Sequence, residues 1–160
     1  MPTHVYQPTH TPPTWRDRIL VHPLDTIVAG GAILLSVLVL ISVLVPGFIP
    51  SQSMDRMPLF IVVAVSGFLG TGGLLALIGL NWQGDSVSKG WAIERLGWLL
   101  AAGGFATYAI TVYWHYPHSV FSWIFPLILA IGATTRCWSV ALIERDMRHS
   151  IAESKGAAHE

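Results

Sequence analysis

Arg136 and Glu94 are the ionisable residues placed where a charge has structural consequences. Arg136 falls inside the apolar run Val120–Ile143, about seven positions and roughly 10 Å of helical rise from its end, and a charge at that depth needs a partner or an exit. Glu94 lies just before the apolar run Leu96–Trp114, so an antiparallel helix pair would bring the two residues to the same membrane face as an intramembrane ion pair. Alternatively, Arg136 snorkels to the headgroups along its own stem and Glu94 sits in water. A proton relay or transport site would require a second buried acid or a histidine within a span, and neither is apparent.

The other reactive residue types point away from catalysis. His4, His10, His22, His149 and His159 lie in tails or at boundaries, and His115 and His118 share one turn. Haem in a helical bundle needs histidines projecting inward from two spans at similar depth. No metal and no cofactor is therefore expected. Cys137 sits within an apolar run, where a small packing role fits better than a reactive thiol. No phosphate loop, nucleophile–base pair or paired carboxylates occur, which argues against an enzyme.

The elements that must position these residues are four apolar runs, Thr26–Ile49, Pro58–Leu80, Leu96–Trp114 and Val120–Ile143. Each has roughly the 20 residues that a helix needs to cross about 30 Å of hydrocarbon. Of the 160 residues 52% are hydrophobic and 11% charged, with nearly every charge outside the runs. The expected fold is an all-α integral membrane protein of four transmembrane helices in two antiparallel hairpins. A formal net charge of zero, with no clustered basic surface, argues against nucleic acid as a partner. The partner the sequence does specify is the lipid bilayer.

Residues 1–13, with four prolines, read as a disordered tail. Residues 14–24 read as a short interfacial helix anchored by Trp15 and capped by Thr14, attached to the chain because no cleavage pattern precedes a run this long. Residues 25–146 form the transmembrane domain, and 147–160 a polar C-terminal tail, helical for a turn or two before fraying. Arg16, Arg18, Lys89, Arg95, Arg145, Arg148 and Lys155 fall on one side and only Arg56 on the other, which predicts both termini in the cytoplasm. Glu94-Arg95 and Glu144-Arg145 repeat an acid–base pair at this boundary and read as two interfacial anchors. Trp82, Trp91 and Trp98 near one boundary, and Trp114 and Trp123 near the other, read as aromatic belts.

In lipid, helices approach closely through small residues. Ser66, Gly70 and Gly73 share one face of the second run, and Gly97, Ala101 and Gly104 answer at the same spacing on the third. These faces either pack the chain's own bundle or form a contact between subunits.

The order His22-Pro23-Leu24-Asp25, a Gly-rich second span, Ile93-Glu94-Arg95-Leu96-Gly97-Trp98 with Ala102-Gly103-Gly104 and Tyr108-Ala109, and a closing Ile143-Glu144-Arg145 resembles small four-span, holin-like membrane proteins of actinobacterial phages. The resemblance covers roughly residues 16–146. It implies residence in the bacterial cytoplasmic membrane and a homo-oligomer that opens a lesion without chemistry. Its tail after Arg145 is less charged than that family leads one to expect. The competing expectations are an accessory subunit of a larger membrane complex, such as a respiratory or photosynthetic assembly, and a small transporter.

Overall fold

A computed structural model describes residues 21–45, 47–48, 57–82 and 86–157, with side chains described as far as Met147. Among them the chain is all-helical, with α1 (Pro23–Leu44), α2 (Leu59–Leu80), α3 (Val87–His115) and α4 (Val120–Ala157). All four are long and apolar enough to cross a membrane. The expected tail at 1–13, the interfacial helix as far as residue 20, Trp15 and Arg56 lie outside the described residues.

Four helix limits depart by three or more residues from the apolar runs, each for a local reason. Helix α1 opens with Pro23 in its first turn, where the missing N–H costs nothing. It stops at Leu44 rather than Ile49, because Val45 is extended (φ −111°, ψ 105°), as a residue before proline prefers. Gly47 follows with φ 86°, which glycine adopts without strain. Helix α3 begins at Val87 rather than Leu96, and α4 continues to Ala157 rather than for a turn or two past Arg145. Charged residues end an apolar run but not a helix, since Lys, Glu and Arg are good helix formers. No proline interrupts either extension.

Successive helices run antiparallel. Ser36 of α1 meets Ser66 of α2 while Gly73 lies against Ala29 and Ile33. Gly72 lies against Ala101 of α3 while Gly79 lies against Glu94. The small residues of α2 thus form two stripes. Ser66, Gly70 and Gly73 turn toward α1, whereas Leu69, Gly72, Ala76 and Gly79 meet Gly104, Ala101, Gly97 and Glu94 of α3. The stripe of Ser66, Gly70 and Gly73 thus faces α1, and at 100° per residue the stripe that meets α3 lies about 100° around the helix from it.

The α2–α3 seam brings backbones together. A Cβ on Gly72 would stand 2.5 Å from the backbone N of Ala101 and 2.9 Å from the carbonyl of Gly97. Across the α1–α2 seam, Ser36 Oγ donates to the Ser66 carbonyl at 2.8 Å and Ser66 Oγ to the Ser36 carbonyl at 3.1 Å. Both serines are buried, and such interhelical bonds contribute about 0.6–2 kcal/mol each. Above and below this clasp the core is layered. Ala29, Ala76, Trp98, Ala102 and Ala133 form one tier, Ala32, Val65, Leu69, Ala101, Phe105 and Ala130 the next, and Val39, Met57, Val62 and Val112 the last.

Gly72→Leu should cost about 2–3 kcal/mol of stability by overpacking the seam, whereas Gly67→Leu should change it by no more than about 0.5 kcal/mol, because a Cβ at Gly67 meets nothing within 4 Å. Unfolding in mixed micelles with increasing SDS checks this, and equal losses at the two positions would contradict the assigned faces.

Candidate functional site

The ionisable residues converge at the end of the helix array where α1 and α3 begin. Arg136 of α4 stands between two carboxylates. Its Nε lies 3.2 Å from Asp25 Oδ2 on α1 and its Nη2 lies 3.0 Å from Glu94 Oε1 on α3. Nε also donates to Glu94 Oε1 at 3.1 Å. One guanidinium thereby joins three helices, which its planar fork of donors allows.

Each partner is held by its own helix. Gly79 of α2 leaves room for the Glu94 backbone, since a Cβ there would stand 2.5 Å from Glu94 Cα. Trp98, one turn on from Glu94, donates Nε1–H to the same Oε1 at 3.3 Å. Asp25 occupies the first turn of α1, where a negative charge is favoured by the helix dipole, and His22 Nδ1 lies 3.7 Å from its Oδ2. Glu94 is buried, with a side chain only 6% exposed, against 21% for Arg136 and 24% for Asp25.

A second ion pair lies beside the first. Arg95 Nη1 donates to Glu144 Oε2 at 2.8 Å, while the Arg95 carbonyl accepts a long bond from Cys137 Sγ at 3.6 Å. The two Glu-Arg dipeptides, expected to act as separate interfacial anchors, therefore contribute to a cross-helix pair. The Arg95 backbone lies beside Cys137, and its long side chain reaches about two turns along α4 to Glu144.

The structure brings Glu94 and Arg136 together and adds a residue to which the sequence reading gave no part in the pair. Asp25 sits just ahead of the expected first span, and only the start of α1 at Pro23 carries it into the array. Asp25 is thus a second acid on Arg136, but at 24% exposure it is not the second buried acid that a relay would require. Trp98 is also corrected. It is 1% exposed and bonds Glu94, so it is a core residue rather than part of a belt. Trp82 and Trp91 are half-buried, Trp114 is exposed, and Trp123 stacks edge-on with Tyr113 at 5.2 Å. His115 Nδ1 lies 2.8 Å from its own helix's Thr111 carbonyl. Among the described residues no three His, Cys, Asp or Glu side chains are grouped to hold a metal ion.

The second feature that could mediate function is a groove on the outer side of α3 and α4, about 700 Å³, floored by Ala102, Gly103, Ala106 and Ala130 and flanked by Thr135 and Trp138. Added at Gly103, a Cβ would meet nothing within 4 Å. Helix α4 packs closely on α3 and only marginally on α1 and α2. No protein-family model, curated protein or solved structure matches the chain.

Replacing Arg136 by Gln leaves two carboxylates without their cation and should cost about 3 kcal/mol, as breaking a buried pair does. The double variant Glu94→Gln/Arg136→Gln should recover most of that loss, because a pair of amides needs no counter-charge. Strictly additive losses in SDS unfolding would show that the two side chains do not interact.

Proposed function

We propose that the chain is a non-enzymatic integral protein of the bacterial cytoplasmic membrane that self-associates through its outer α3–α4 groove, in the manner expected of holin-like phage proteins. The observation that carries this reading is which small residues are already used. Gly70, Gly72, Gly73, Gly97 and Gly104 all lie against neighbouring helices of the same chain, so they build the monomer and are not free for a subunit contact. Gly103 and the alanines of the groove stay open.

Helix α4 supports the same view, since only 11% of its apolar window is buried, against 50% for α3. Lipid can cover such a surface, but a groove floored by small residues lets another helix approach to backbone distance. A second copy supplies an apolar helix of the right length in α1 or α4. Excess Lys and Arg around the end where α1 begins and α4 ends favours that end in the cytoplasm. Accumulation of copies in one membrane would then lead to a lesion, with no bond made or broken by the protein.

Gly103→Leu combined with Ala106→Leu should fill the groove and weaken self-association about tenfold, roughly 1.4 kcal/mol, with the monomer's unfolding unchanged. Cross-linking yield in membranes and membrane potential after induction measure the two effects. Wild-type protein should form cross-linked species and depolarise the cells after a delay, and the double variant should do neither. A wild-type chain that stays monomeric, leaves the potential intact and co-purifies with larger subunits would overturn the proposal in favour of an accessory subunit.

A further inference from the structure

Arg136 and Asp25 join α4 to α1 at one end, and along the rest of their length these two helices pack only marginally. Beneath that seam, toward the opposite end of the bundle, lies a cavity of about 350 Å³ with walls from all four helices. Its surroundings, its polarity and its width define what it would accept.

The floor is buried, with Val39, Val65, Leu69 and Phe105 each under 5% exposed. The rim is open, with Leu35 of α1 and Phe121 and Phe125 of α4 exposed. All four helices are long and apolar enough to cross a membrane, so in a bilayer the cavity opens on hydrocarbon. Water is a poor occupant, because an ordered water needs about two to four polar partners and the wall offers only the side chains of Tyr108 and Ser122.

Those two polar residues give the cavity a direction. Ser122 lies in the first turn of α4, and Tyr108 about two turns before the end of α3, so both mark the end nearest the α3–α4 turn. A tyrosine hydroxyl enclosed among apolar groups donates where an acceptor is offered. The other end is formed by Leu69, Phe105 and Leu129, with no polar side chain among them. Polar toward the membrane surface and apolar toward the midplane, the cavity has the polarity of one lipid leaflet.

Width decides between the apolar occupants that a bilayer supplies. From Ser122 to Leu129 the helical rise is roughly 10 Å, so 350 Å³ over that length gives a mean cross-section of about 35 Å². An α-helix about 10 Å across needs roughly 80 Å², which excludes a span of a second copy. A single hydrocarbon chain is thin enough to enter.

We propose that this cavity holds one acyl chain of a membrane phospholipid from the leaflet nearest the α3–α4 turn, its ester carbonyl accepting from the Tyr108 hydroxyl and its methylenes against Leu69 and Phe105. The chain completes the α1–α4 seam at the end that Arg136 does not reach. The site shares no lining residue with the outer α3–α4 groove and is independent of how copies assemble.

The test is photolabelling of the purified full chain in vesicles of phosphatidylglycerol and phosphatidylethanolamine, doped with a phosphatidylcholine that carries a diazirine midway along one acyl chain. Adducts are mapped by mass spectrometry. Labelling is expected on buried Leu69 and Phe105, which lipid around the outside of the bundle cannot reach, as well as on exposed Phe68 and Ile128. Leu35→Trp, whose indole fills the cavity from its rim, should lower the floor adducts about tenfold and leave those on Phe68 and Ile128 unchanged. Unfolding in SDS is recorded for the variant. Tyr108→Phe, which removes only the hydroxyl, should lower the floor adducts several-fold and serves as the test if Leu35→Trp does not fold. Adducts confined to exposed residues, or floor adducts unchanged in folded Leu35→Trp, would overturn the proposal.

Discussion

Inside a bilayer, apolar side chains gain nothing by leaving lipid for protein, and no water is at hand for polar groups. Helices in that setting are held by close backbone approach and by polar bonds that have nowhere better to go. This chain meets the constraint at two levels. Along α2, Gly72 and Gly79 let α3 come to backbone distance, and Ser66 exchanges hydrogen bonds with Ser36 of α1. At the end where α1 and α3 begin, Arg136 answers Asp25 and Glu94 at once. The seam sets the distance between neighbouring helices, and the ion cluster fixes the register of α4, which has few other contacts with α1.

The residues of the two levels depend on one another. Glu94 lies where it does because Gly79 has no side chain, and its Oε1 is aimed by Trp98 from the following turn. Arg136 finds Glu94 at its own depth because α3 and α4 are antiparallel and joined by a short turn. Gly90 likewise lets α3 approach Trp82, since a Cβ there would stand 2.9 Å from the indole. The outer groove is lined by residues of α3 and α4 that take no part in the ion cluster.

Helix number and approximate position were legible in the sequence, because a run of about 20 apolar residues has few structural alternatives. Helix α2 coincides with its run nearly to the residue. The limits of α3 and α4 were not legible from hydropathy, since Lys89, Glu94 and Arg95 leave the apolar count while continuing the helix. The Glu94–Arg136 pair could be read from depth alone. Asp25 could not, because its contact depends on α1 starting at Pro23. Trp98 looked like its neighbour Trp91 in sequence, and only their positions around α3 separate a buried indole from a half-buried one. The stripes of α2 were visible as small residues, but which stripe met which helix required the packed structure.

The shared guanidinium is the claim on which this account most depends, and it can be measured in lipid without altering the chain. Solid-state NMR with ¹⁵N-labelled arginine and ¹³C-labelled carboxylates, in bilayers containing the full protein, reports the separation of Arg136 from Asp25 and Glu94. Both carboxyl carbons are predicted within about 4.5 Å of a guanidinium nitrogen, as charge-assisted hydrogen bonds require. A guanidinium nearer to lipid phosphorus than to either carboxyl carbon would contradict it, and would make Arg136 a snorkelling residue with no part in joining the helices.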